Sequence, residues 1–244
     1  MNRRQLLASA LAVTVARPAF AASPEWQARL IQGGFDGKAY LAGLHIVLMP
    51  GWKTYWRVPG EAGIPPQIKV NGDNLESFEV LAPLPTRITD ASGEAIGYHD
   101  EVVFLLRVVP KAPEKPLSAT VSAFFGVCEQ ICKPAKFEGA LEMQPGMQTS
   151  SVLASWQAKI PIAGDFISSA RLDAAELVIT LTQTIEDLFI EGPEELYFRA
   201  PTFTQGKAKI EIDGLQPGQS LKGISLRCTA AMQGKGLEQM ISVS

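Results

Sequence analysis

Across Tyr40-Leu41-Ala42-Gly43-Leu44-His45-Ile46-Val47-Leu48-Met49 the residues alternate, with Leu44, Ile46 and Leu48 on one face and His45, Val47 and Met49 on the other. That is the period-two pattern of a strand, and Pro50-Gly51 ends it. Similar short runs follow at Lys53–Val58, Gln67–Val70, Ser77–Leu81, Glu101–Val109, Ala119–Phe125 and Lys136–Met143, between clusters of Pro, Gly, Asn and Asp. Spacing of this kind predicts an antiparallel sandwich. The Glu101–Val109 run is apolar on both faces at Val102, Val103, Phe104, Leu105 and Leu106, which places it centrally in a sheet.

Outward from this block, Gln144-Pro145-Gly146-Met147-Gln148-Thr149-Ser150-Ser151 is polar and turn-rich and reads as a domain boundary. The first domain is expected over residues 22–145 and the second over 152–244. A short helix is expected at Val152–Lys159, stopped by Pro161. Beyond it, Leu177–Leu181, Leu196–Arg199, Ala208–Ile212 and Leu221–Cys228 read as strands. The expected fold class is all-β, an antiparallel sandwich followed by a second, smaller β domain.

Composition agrees: of 244 residues, 46% are hydrophobic and 19% charged, enough for a sizeable core and incompatible with wholesale disorder. With 22 basic against 25 acidic residues the chain has no positive excess for a phosphate backbone, so nucleic acid is not an expected partner. Residues 1–21 carry Arg3-Arg4, an apolar stretch from Leu6 to Val15 and Ala19-Phe20-Ala21, the order of a signal peptide cleaved after Ala21. Asn2-Arg3-Arg4-Gln5-Leu6-Leu7 looks like a twin-arginine signal, with ordinary secretory export as the alternative. Either route predicts the periplasm, where cysteines default to disulfides. No later stretch approaches the ~20 apolar residues of a transmembrane helix, so the mature chain is expected without one.

The three cysteines are Cys128, Cys132 and Cys228. Cys128-Glu129-Gln130-Ile131-Cys132 allows a local bridge if the motif forms a helical turn or a tight loop between strands. A five-residue loop gives only about 2 kcal/mol of chain-entropy stabilisation, a weak staple for a domain with ample core. A short, reachable bridge suits thiol exchange. Spacing alone leaves three readings open: a staple, an exchange pair, or a soft Cu(I) site with Met143 or Met147. Zinc is disfavoured because the two histidines, His45 and His99, lie far from the cysteines in sequence. Lys133 and Lys136 would favour a thiolate and Glu129 would oppose it. Cys228 ends an apolar run and reads as a buried small hydrophobe, although the odd count leaves room for a third redox thiol or an intermolecular bridge. Trp52 and Trp56 share one strand face, with Tyr55 on the other, and such aromatics usually fill a core. His99-Asp100 reads as a surface turn, with His99 a proton carrier if the fold brings it near the cysteines.

Four ordered segments add a resemblance: Pro50-Gly51-Trp52-Lys53-Thr54-Tyr55-Trp56-Arg57-Val58-Pro59-Gly60, Gly63-Ile64-Pro65-Pro66, Gly97-Tyr98-His99-Asp100-Glu101-Val102, and Val127-Cys128-Glu129-Gln130-Ile131-Cys132-Lys133-Pro134. Over roughly residues 27 to 143 the sequence resembles the N-terminal periplasmic domain of the thiol:disulfide interchange protein DsbD, and still more its relatives in the copper-tolerance ScsB group. Leu196-Tyr197-Phe198-Arg199-Ala200-Pro201 resembles the second β domain of the ScsB-like proteins. The resemblance implies an immunoglobulin-like sandwich whose pair, here Cys128 and Cys132, takes electrons from a thioredoxin-like domain and passes them to oxidised periplasmic partners. It implies Cys132 as the first attacking thiol, no organic cofactor, and partners among thioredoxin-like periplasmic or membrane-anchored oxidoreductases. It also implies a cap loop over the pair, with Gly93–Asp100 as its counterpart and Ile96, Tyr98 and His99 as its residues. In place of the adjacent aromatics of the DsbD branch this chain has Ala95-Ile96-Gly97-Tyr98. The transmembrane conduit and thioredoxin-like domain of full-length relatives have no counterpart in this sequence, so the electron source is expected in trans.

Overall fold

A computed structural model describes residues 21–244 except 24, 62 and 91–92. Apart from Ala21, the expected export signal lies outside the described residues. The first unit contains β1 (Ala21–Ala22), β2 (Trp26–Ile31), β3 (Tyr40–Leu48), β4 (Lys53–Gly60), β5 (Gln67–Asn71), β6 (Leu75–Leu81), β7 (Thr86–Asp90), β8 (Gly93–His99), β9 (Glu101–Pro110), β10 (Leu117–Cys128) and β11 (Cys132–Met143). One sheet has the order β1-β2-β3-β9-β6 and the other β11-β10-β4-β8-β7, with β5 also on β10. All of these pairings are antiparallel.

The two inner faces meet as period two dictates. Leu44 and Ile46 of β3, Val102, Phe104 and Leu106 of β9, Trp56 of β4, Ile96 and Tyr98 of β8, and Val121, Phe125 and Val127 of β10 form one buried core. The doubly apolar β9 lies between β3 and β6, the central place expected for it.

Helix α1 (Ser151–Gln157) starts at Ser150, whose hydroxyl accepts from the Leu153 N–H. Leu153 and Trp156, three residues apart and so on one helix face, enter the first core. The helix thus packs on the first sandwich, although it lies beyond the polar boundary segment. Strands β12 (Ile162–Ala163), β13 (Ile167–Asp173), β14 (Glu176–Leu181), β15 (Asp187–Glu191), β16 (Tyr197–Phe198), β17 (Thr202–Thr204), β18 (Lys207–Asp213), β19 (Ser225–Met232) and β20 (Lys235–Ser242) follow. They form the sheets β12-β20-β19-β15 and β13-β14-β18-β16, with β17 also on β18, around a separate core. Where a strand was expected from Leu221, a turn closes between Leu221 and Ile224, with Gly223 at φ +80°, and β19 begins at Ser225.

The two units touch through buried contacts. The Arg57 guanidinium lies over the Trp56 ring and pairs with Glu191 and Glu238 at 2.7 and 2.5 Å. Arg87 reaches Asp187 at 3.1 Å and the Leu188 carbonyl at 2.9 Å. Phe189 leaves its own unit for the first core, edge-on to Trp56. Among the described residues no helix is long and apolar enough to cross a membrane.

Candidate functional site

Strands β10 and β11 form a hairpin in register over its full length, and its last Cα partners are Cys128 and Cys132. The motif is therefore a tight three-residue loop between strands. Directly opposed residues of an antiparallel pair lie about 4.5–5.5 Å apart at Cα, within the range a disulfide spans without backbone movement.

Period two also decides which face carries the sulfurs. Val127 and Phe125 point into the core, so Gly126 and Cys128 point outward. The row continues across the sheet as Cys132, Cys128, Lys53 and His99, each the Cα partner of the next. On this outer face Tyr55, Ile88, Ala95 and Cys128 form a small buried cluster of their own, with Cys132 packed against it. Cys128 is 2% exposed, whereas Cys132 is half-buried. Ile131 projects from the tip of the loop at 75% exposure.

The outer cluster is covered by the β4–β5 connection. Strand β10 pairs with β5 from Thr120 to Phe124 and with β4 at Val127 and Cys128. Between them the Gly126 N–H donates to the Ile64 carbonyl at 3.0 Å, so the connection runs along β10 as a strap. A Cβ on Gly63 would stand 2.6 Å from the Tyr55 ring, and one on Gly126 would stand 2.9 Å from the same ring and from Ile64. Only glycine at both positions lets the Tyr55 ring lie between strap and strand. Its hydroxyl hydrogen-bonds with both Cys128 and Cys132. Burial, first, and then these two contacts push the phenol far above its ordinary value, so Tyr55 keeps its proton and has an O–H to offer sulfur.

Lys53 is the buried cation of the site, 1% exposed, with Nζ 2.7 Å from Asp90 Oδ2 at the end of β7. The two lysines singled out by sequence proximity behave differently: Lys133 is turned to Glu25 at 2.8 Å and lies over the Trp52 ring, and Lys136 is exposed on β11 opposite Phe124. Lys53 stood in the Trp52–Trp56 segment, but its adjacency to Cys128 depends on strand order. Tyr55 lies on the face opposite Trp56, as the alternation predicts, in the outer cluster and not in the main core.

Gly93–Asp100, expected as a loop over the pair, is strand β8 up to His99. Ile96 and Tyr98 face the main core, and the Tyr98 hydroxyl donates to the Pro83 carbonyl at 2.7 Å. The large residues at even positions and the small Ala95 and Gly97 between them fit a strand flanked by β4 and β7. His99 is exposed and sits two strands from Cys128, about 10 Å at the usual strand spacing. The copper set is also separated: Met143 is at the opposite end of β11 from Cys132, about 35 Å along the strand, and Met147 lies beyond that end, its sulfur accepting from the Gln144 N–H at 3.2 Å. No group of three or more His, Cys, Asp or Glu among the described residues could hold a metal ion. Cys228 is fully buried in the second core, and burial followed by the Glu191 carboxylate pushes its thiol up to about 12.

Residues 22–141 match the family described as thiol:disulfide interchange protein DsbD, N-terminal. Among solved structures, the N-terminal periplasmic domain of ScsB from Proteus mirabilis superposes with a TM-score of 0.74 at 19% identity, covering 92% of this chain and 98% of that one. The shared fold therefore includes the second β unit. No curated protein sequence matches the chain.

Proposed function

Residues 22–141 belong to the DsbD N-terminal domain family, and from that premise we propose that the chain is a periplasmic thiol:disulfide interchange protein working through Cys128 and Cys132. The observation that carries the reading is the placement of the pair. The two cysteines are opposed at the loop end of a hairpin, outside the main core, with one sulfur reachable and one buried. A structural staple has no need of that asymmetry.

In the reduced protein the Cys132 thiolate attacks a disulfide of the partner, forming a mixed disulfide and releasing one partner thiolate, which takes up a proton. Cys128 then loses its proton and attacks the Cys132 sulfur. The Cys128–Cys132 bond forms, the mixed bond breaks, and the partner leaves as a dithiol carrying two electrons and two protons. A dithiol donor of the thioredoxin-like class resets the pair by the reverse sequence. Tyr55 donates its O–H to whichever sulfur carries the negative charge. The exposed Ile131 gives a partner an apolar contact next to the reactive sulfur.

The test is the reduction potential of the pair in metal-free mature protein, set with graded thiol buffers and read by alkylation and mass spectrometry. A value between about −180 and −270 mV fits a relay, whereas resistance to reduction below about −300 mV makes the bridge a staple. In the relay, Cys128→Ser accumulates mixed disulfides through Cys132, and Cys132→Ser accumulates far fewer.

A further inference from the structure

The strap that covers Tyr55 is held at its start by the second β unit. Gly60 begins it at φ +95°, packed so closely on β8 that a Cβ would stand 2.8 Å from the Glu94 carbonyl. The next residue, Glu61, receives Arg199 of the second unit at 2.8 Å. Arg199 is itself oriented by Asp213 at 2.7 Å. The Tyr197 hydroxyl donates to Glu94 Oε1 at 2.8 Å, and Arg87 binds the same oxygen at 3.1 Å while reaching Asp187 of the second unit. Burial and the Glu94 contact hold the Tyr197 phenol protonated far above its ordinary range. From this anchor the strap runs through Gly63 and Ile64, over the Tyr55 ring, to within a hydrogen bond of Gly126, two residues before Cys128.

We propose that Tyr197 and Arg199 are positioning residues for the cysteine pair: by holding Glu94 and Glu61 they fix the strap, and the strap fixes Tyr55 against the two sulfurs. The second unit thereby sets how readily the buried thiol is reached, without touching it. The proposal rests on the reading of Cys128 and Cys132 as an exchange pair, which gives that access a use. The segment Leu196–Pro201 thus gains a role at a site in the other unit.

The experiment uses the full mature chain in a Cys132→Ser background and follows alkylation of Cys128 by iodoacetamide, resolved from Cys228 by mass spectrometry. Both partners of the Arg199–Glu61 pair are partly exposed, and such a pair shifts an opening equilibrium by up to about fivefold. Arg199→Gln is therefore expected to speed Cys128 alkylation by about two- to fivefold, and Tyr197→Phe in addition to speed it further. Arg199→Lys should restore most of the original rate. Glu61→Gln should give the same acceleration as Arg199→Gln, and the two together no more than either alone, because they cut one contact from its two sides. General loosening would instead add up in the double variant and would also open Cys228. Rates equal to the parent's in Arg199→Gln and Glu61→Gln, or additive accelerations, overturn the proposal. Alkylation needs no partner protein, so this outcome is read separately from the reduction potential that tests the exchange reading.

Discussion

Replacing Tyr55 by Phe removes one oxygen from the site and leaves the ring between Gly63 and Gly126. A hydrogen bond to a charged group is worth about 1.5–3 kcal/mol. At the lower bound its loss leaves about tenfold less thiolate at a fixed pH below full ionisation. The remaining thiolate is intrinsically more nucleophilic, and with a Brønsted coefficient near 0.4–0.5 it gains about threefold per ion. The two effects combine with opposite weight along the pH scale. At neutral pH the variant should react about threefold more slowly, and at high pH, where the thiol is fully ionised in both proteins, about threefold faster. The assay is exchange with a small chromogenic disulfide in a Cys128→Ser background, which leaves Cys132 as the reachable thiol because Cys228 is fully buried. Tyr55 keeps its proton throughout, since burial and the sulfur contacts hold it far above its ordinary value. A change in access alone would move both limbs the same way. If Tyr55→Phe leaves the profile in place, or shifts both limbs in one direction, the phenol is packing and not a donor to the reacting sulfur.

Removing Asp90 should cost more than removing Lys53. Asp90→Asn takes the counter-charge from a buried ammonium, about 3 kcal/mol or more, whereas Lys53→Met leaves a carboxylate that is 35% exposed and can rehydrate, about 1–3 kcal/mol; urea unfolding of both variants decides the order. Leu153→Ala should destabilise the first sandwich by about 2–5 kcal/mol, so that in urea Cys128 becomes reactive earlier while Cys228 stays protected by the second core. The folded Cys228 thiol, pushed up to about 12 from an ordinary 9.0, contributes stability that is fully present below pH 9 and lost as the pH rises to about 12. Cys228→Ala should abolish that part of the alkaline decline, as measured by thermal melts across the window.

Much of the architecture is legible in the alternation. Period two in Tyr40–Leu48 and the doubly apolar Glu101–Val109 run place β3 and β9 correctly, because each face of a strand meets one environment. The same rule, applied to Gly93–Asp100, yields a strand with Ile96 and Tyr98 inward, and only the family expectation of a cap argued for a loop. What alternation cannot supply is the neighbour. Lys53 lies beside Cys128 because β4 follows β10 in the sheet, and it meets Asp90 across the intervening β8. Leu153 and Trp156 mark a buried helix face, but nothing local says which of two cores receives it.

The outer cluster shows the same limit from the functional side. In a simple sandwich, residues opposite Phe125 and Trp56 would face water, and Cys128 and Tyr55 would be exposed. They are buried because Gly63-Ile64-Pro65-Pro66 folds back over them, and this needs glycine at 63 and 126 together, two positions far apart in sequence that meet on one ring. The prolines restrict the backbone of the strap's far end, and Gly60 allows the turn at its near end. The tyrosine, Gly63 and the strap all lie in the segments that carry the family resemblance, and Gly126 stands immediately before the last of them. Only the three-dimensional crossing reveals that they form one cover, and that a sheet with its core on one side has room on the other for a separately enclosed, reactive pair of sulfurs.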